Sequence, residues 1–226
     1  TNDRRQRQMC IRDRSSGVDV FRINFSHAKH EDVERIVSDI KNLRIKHNKH
    51  VSILGDLQGP KIRLGSVNEN TNLNKGDAIT LTTKLVKSGN SEKVSINYKD
   101  FAKDVKKGES VLIDDGKIIL QVQKTDRVSN VELKVIQGGA LSSNKGVNLP
   151  NTKISMPALT NKDIKDAKLA TKLGVDWIAL SFVRSKNDIL QLKTLINKNS
   201  DHPIPVISKI EKPQAIKKMD QILKAS

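Results

Sequence analysis

The sequence predicts an α/β fold interrupted by a β-rich insertion, and three observations predict it. Over residues 17–61 and again over 155–226, apolar residues recur first at strand spacing and then at helix spacing. From 62 to 154, short β-branched runs follow one another between Gly, Asn and Asp, with no helical stripe longer than two turns. Strand and helix in alternation imply parallel strands joined by right-handed crossovers, so the β-rich middle is an insertion within that arrangement.

The elements follow in order. GVDVFRINFS, from Gly17, reads as a strand, and His30 to Lys46 carries Val33, Ile36, Val37, Ile40 and Leu43 at helical spacing. HVSILGDL, from His50, is a second strand. DAITLTT, KVSINY, SVLIDDGKIILQV and VELKVIQ are strands of a small barrel or sandwich. Asp115-Gly116 marks a hairpin there, because both residues tolerate positive φ. Thr160 and Asp163 make a capping-box-like start, Ile164, Ala167 and Leu173 a stripe, and Gly174 a C′ residue. VDWIALSF is a strand, Ser185 and Asp188 open a helix, PIPVISKIE is a strand, and Pro213 opens a final helix. Four barrel-type strands, near 18–25, 51–57, 175–182 and 204–211, fit an open sheet or part of a closed eight-stranded barrel. The absence of a strand after the last helix favours the second.

Composition narrows the function classes. With 36% hydrophobic and 29% charged residues and no apolar run near the ~20 needed to span a bilayer, a soluble globular protein is expected. One cysteine excludes a disulfide framework and fits a reducing cytosol. A net charge of +16 invites a nucleic-acid partner, but six scattered aromatics offer no stacking platform, so a solvated lysine-rich surface is the expectation. Residues 1–16 stand apart: they hold Arg4, Arg5, Arg7, Arg12 and Arg14 without periodicity and read as a disordered or artefactual tail rather than a basic arm.

Polar residues collect at strand ends. In VDVFRINFS, Arg22, Asn24 and Ser26 share one face at the C-terminal end, where α/β barrels build their sites, with His27 beside them. Asp56 closes the next strand and is followed by Gly59-Pro60, Lys61 and Arg63: a salt-bridged loop, or a corner that handles phosphate and cations. Lys209 and Glu211 lie two apart at the end of PVISKIE. They form either a plain ion pair or a division of labour, with Lys209 meeting developing negative charge and Glu211 ligating Mg²⁺.

FRINFSH, ILGDLQGPKIR, DDGKI, NKGVNLP, ALTNKD, GVDWIALSFVRS and PVISKIE, in this order from Gly17 to Ser226, closely resemble the pyruvate kinase family. The resemblance implies a partial TIM (β/α)₈ barrel, residues 17–61 and 155–226, interrupted by a small β-barrel lid, residues 62–154. It also implies a cytoplasmic glycolytic enzyme that transfers phosphate from phosphoenolpyruvate to ADP with Mg²⁺, giving ATP and pyruvate, and a homotetrameric parent. By likeness, Arg22 holds substrate phosphate, Lys209 steadies the transferring phosphoryl group and the enolate, and Glu211 ligates Mg²⁺. Asn24, Ser26, His27, Arg63 and Lys145 fall on the nucleotide side. Asn24, Ser26, Asp56 and the Leu57 carbonyl match positions that hold K⁺ in many members.

The departures matter as much. Leu57-Gln58 and Lys61 stand where K⁺-dependent members usually carry Thr-Lys and Glu, so a parent enzyme working without added K⁺ is expected, the Lys61 ammonium replacing the ion. The opening strand, the second Mg²⁺ carboxylate, the later proton-transfer threonine and the C-terminal domain have no counterpart, so this piece alone is expected to be inactive. The competing expectations are a non-catalytic nucleotide binder and a basic nucleic-acid binder that uses the tail.

Overall fold

The structure, a computed structural model, describes residues 17–226, so the tail expected over 1–16 lies outside the described residues. The chain divides into two compact units, one formed by its two ends (to Pro60 and from Pro157), the other by Lys61–Met156. It opens with β1 (Val20–Asn24), α1 (His30–His47) and β2 (Ser52–Asp56). The middle carries β3 (Asn72–Leu73), β4 (Ala78–Thr82), β5 (Lys93–Ser95), α2 (Phe101–Asp104), β6 (Ser110–Ile113), β7 (Ile118–Thr125), β8 (Asn130–Gln137), β9 (Gly139–Ala140) and β10 (Val147–Asn148). Then come α3 (Asn161–Lys172), β11 (Trp177–Leu180), α4 (Lys186–Asn197), β12 (Val206–Ser208), α5 (Pro213–Ile216) and α6 (Met219–Leu223).

The unit of the chain ends is built on a four-stranded parallel sheet ordered β1-β2-β11-β12. Its strand order follows the chain order, as helical crossovers of one hand require. Local chemistry fixes the helices. On α1, Val33, Val37 and Ile40 face the core, Glu31 and Asp32 sit in the first turn and Arg44, Lys46 and His47 in the last, complementing the helix dipole. α3 begins with a full capping box between Thr160 and Asp163. It ends in a Schellman motif: Gly174, at φ +60°, donates to the Thr171 carbonyl and Val175 donates to that of Ala170. Gly55, in the middle of β2, leaves the space that the fully buried Phe25 ring fills, since a Cβ there would stand 3.2 Å from it.

Two strands end earlier than their sequence patterns suggest. β1 stops at Asn24, because the Asn24 side chain accepts the Ser26 N–H at 3.0 Å and turns the chain. Ser26 therefore lies in a turn rather than on the strand face. β12 stops at Ser208, although Lys209 continues to bond the neighbouring segment through its N–H to the Leu180 carbonyl, 3.0 Å away.

The second unit is a six-stranded sheet ordered β10-β6-β7-β8-β4-β5, with β3 and β9 as a separate pair. Segment 63–65 bonds both of its edges: Leu64 N–H donates to the Lys145 carbonyl beside β10, and Gly65 N–H to the Ser95 carbonyl in β5. The edges are thereby stitched together rather than left open. The β6–β7 hairpin turns through Asp114, Asp115 and Gly116, at φ of 51°, 56° and 91°. Its interior packs Leu81, Val94, Phe101, Val111, Leu120, Val122 and Val131, all fully buried.

Candidate active site

The C-terminal ends of the four parallel strands bring Arg22, Asp56, Ser181, Lys209 and Glu211 together. Asp56 ends β2 and is 4% exposed, with its carbonyl fixed by the Phe25 N–H at 3.0 Å. Its carboxylate accepts from Arg22 Nε at 2.7 Å and from Lys209 Nζ at 3.1 Å. A carboxylate this deep is tolerated because two cations face it. Lys209 Nζ also donates to Ser181 Oγ at 2.8 Å and stands 3.4 Å from Glu211 Oε1, so its donors point at three different groups. Ser181 is buried and passes its own hydroxyl proton toward the Leu57 carbonyl, 2.6 Å away. The Arg22 and Lys209 side chains remain 54% and 31% exposed, so both cations are anchored from below yet open to a solvent-borne anion.

Glu211 is held separately. Its Oε2 accepts the Phe182 N–H at 2.9 Å. Phe182 adopts φ +56°, a left-handed conformation that aromatic residues rarely enter. Gly59 presses on its ring from one side, where a Cβ would stand 2.8 Å from Phe182 Cδ2. The Lys212 ammonium lies 5.6 Å from the ring centre. Burial, with Arg184 as the second cause, lowers the Lys212 pKa from its ordinary value.

The remaining sequence-predicted residues distribute between the two units. Asn24 ends β1 with Ser26 in the following turn, His27 is exposed there, and the Leu57 side chain is buried in the core. Lys61, Arg63 and Lys145 belong to the second unit. There the Arg63 guanidinium donates to the Asn144 carbonyl at 2.9 Å, which brings it beside Lys145. Lys145 Nζ pairs with Asp114 at 3.0 Å, and Lys117 and Lys145 together lower the Asp114 pKa. Among the described residues, no group of three or more His, Cys, Asp or Glu is placed to hold a metal ion.

The family model for the pyruvate kinase barrel domain matches residues 3–226. The chain belongs to the pyruvate kinase family. It is 44% identical over 210 residues to the pyruvate kinase of Corynebacterium efficiens, covering 92% of this chain and 44% of that protein. It is 43% identical over 212 residues to that of Thermotoga maritima (93% and 45%) and 38% identical over 212 residues to that of Thermococcus litoralis (93% and 44%). The chain thus spans somewhat under half the length of these pyruvate kinases. Sequence reasoning passed over two residues of the cluster, Ser181 and Phe182. Both sit in VDWIALSF, whose apolar run reads as a buried strand; the serine closing it was the available signal.

Proposed function

We propose that the chain carries the substrate-phosphate and nucleotide-facing part of an enzyme that moves the phosphoryl group of phosphoenolpyruvate to ADP, giving ATP and pyruvate. The observation that supports this reading is the joint hold of buried Asp56 on Arg22 and Lys209 at the C-terminal end of a parallel sheet. Arg22 grips the substrate phosphate. Lys209 faces the charge that develops on the transferring phosphoryl group and on the enolate left behind. Because Asp56 and Ser181 already orient the ammonium, little reorganisation accompanies the reaction, which is where electrostatic catalysis gains most. Glu211 fits Mg²⁺ as one hard oxygen ligand, in an ion that takes few carboxylates beside phosphate oxygens. Mg²⁺, when bound, supplies charge neutralisation on those oxygens.

Three of the four positions that match a K⁺ site already have protein donors. Asn24 Oδ1 takes the Ser26 N–H, Asp56 takes Arg22 and Lys209, and the Leu57 carbonyl takes Ser181. This donor set supports turnover without added K⁺. Residues 62–154, which fall within the unit Lys61–Met156, are the inserted lid in this reading, with Arg63 and Lys145 as its nucleotide-phosphate cations.

The test is pyruvate formation by the full-length enzyme with Lys209→Met. A fall in kcat of about 10²–10³ is expected for removing one preorganised charge from the transition state. Activity unchanged by the substitution overturns the assignment. The 226-residue chain is expected to bind ADP without turnover, and no helix among its described residues is long and apolar enough to cross a membrane.

A further inference from the structure

A second charged cluster stands away from Asp56. Asp166, on α3, is 2% exposed, yet its carboxylate receives His30 Nε2 at 2.8 Å on one oxygen and Lys162 Nζ on the other. Lys162, one turn earlier on the same helix, also donates to the Phe25 carbonyl at 2.6 Å. That carbonyl belongs to the peptide unit whose N–H is that of Ser26, and the Ser26 N–H is bound by Asn24 Oδ1. A peptide unit is planar, so fixing its carbonyl fixes the direction of its N–H and, through it, the Asn24 amide. His30 is the first residue of α1 and follows the same turn, so segment 25–30 is tied to Asp166 at both ends, directly at His30 and through Lys162 at Phe25.

We infer that Lys162, Asp166 and His30 are positioning residues for the Asn24–His27 turn. This rests on the reading of that turn as the nucleotide side. An exposed ion pair would contribute little. Here the carboxylate is buried, and Lys162 spends a donor on a main-chain carbonyl beside two candidate ligands, which a merely solubilising lysine does not.

The experiment is amide hydrogen exchange and ¹⁵N–¹H spectroscopy on the 226-residue chain, with Lys162→Met, Lys162→Arg and Asp166→Asn. In Lys162→Met the Ser26 N–H and the Asn24 side-chain amide shift, and Ser26 exchanges about tenfold faster, as loss of one charge-assisted hydrogen bond implies. The β2 amides of Ile53 and Leu54 stay within about twofold, since the sheet ladder is intact. Lys162→Arg restores the Ser26 signal, which a general loss of helix stability would not permit. Unchanged Ser26 shift and exchange in Lys162→Met overturns the inference, as does equal acceleration in Ser26 and β2. ADP titration separates the two layers. Weaker ADP binding in Lys162→Met, alongside the Ser26 change, supports both. A wild-type chain whose 24–27 resonances ignore ADP removes the nucleotide reading and leaves positioning decided by the exchange data.

Discussion

A single buried carboxylate organises the candidate site, and its neighbours show how much one hydroxyl can matter. Ser181 accepts from Lys209 and donates to Leu57, so Ser181→Ala removes an acceptor from the ammonium and a donor from a main-chain carbonyl at once. A loss of about 1–3 kcal/mol is expected for leaving buried partners unmet, read from urea unfolding. Tyr98 makes a second residue-scale prediction. Burial first, then its hydrogen bond to Asp104, push its pKa from 10.0 up to about 12. The folded chain therefore holds this proton more tightly than the unfolded one. Its stabilising contribution is complete below pH 10 and is lost as pH rises toward about 12. Lysines also titrate in that window, so the measure is the difference between wild type and Tyr98→Phe, whose melting temperature should fall less steeply from pH 10 to 12. Parallel slopes would count against it. Arg22, Asp56, Lys209 and Glu211 were legible because strand alternation and strand ends are local rules. Ser181 was not, because its partners Leu57 and Lys209 are 124 and 28 residues away.

At the scale of elements, caps were more legible than strand ends. Thr160, Asp163 and Gly174 announced both ends of α3, since capping depends on residues three or four apart. The sequence does not reveal that Asp163 has a further task. It is fully buried and accepts the Gly59 N–H at 2.9 Å, tying the loop after β2 to the start of α3. Thr160→Ala should therefore cost about 1 kcal/mol, the usual value of a lost N-cap. Asp163→Ala should cost upward of about 2 kcal/mol, because the Gly59 and Thr160 N–H groups both lose their acceptor. Equal costs in thermal unfolding would mean that the Gly59 bond contributes nothing. The overlong expectations for β1 and β12 have one cause. PVISKIE keeps an alternating pattern past the point where the ladder stops, and FRINFS does the same until Asn24 captures the Ser26 N–H; side-chain period alone does not mark where main-chain pairing ends.

For the whole molecule, the two units differ in how their sheets end, and that difference predicts how they behave apart. In Lys61–Met156 the edge strands β10 and β5 are both bonded to segment 62–65, and the apolar interior is closed around Leu81, Val111, Leu120 and Val131. Among the described residues, β1 and β12 of the other unit have one neighbour each, and Val20, Ile207 and Ile210 on or beside those strands are 47%, 39% and 38% exposed. Open strand edges with apolar side chains invite pairing with other chains. Residues 61–156 expressed alone should therefore give a dispersed amide spectrum and a cooperative unfolding transition, since ~100 residues with a closed core suffice for an independent domain. Residues 17–60 joined by a short linker to 157–226 should instead associate, visible as a concentration-dependent sedimentation coefficient. Replacing Ile207 with Lys on the open edge should reduce that association, because a charge on an edge strand opposes pairing. In the whole chain, Leu120→Ala should lower the protection of β6–β8 amides by about 2–5 kcal/mol while leaving Ile53 and Ile178 near their wild-type exchange rates, because a core cavity is felt within its own cooperative unit. A collapsed spectrum for 61–156, or equal loss of protection in both sheets, would show that the two cores stand or fall together.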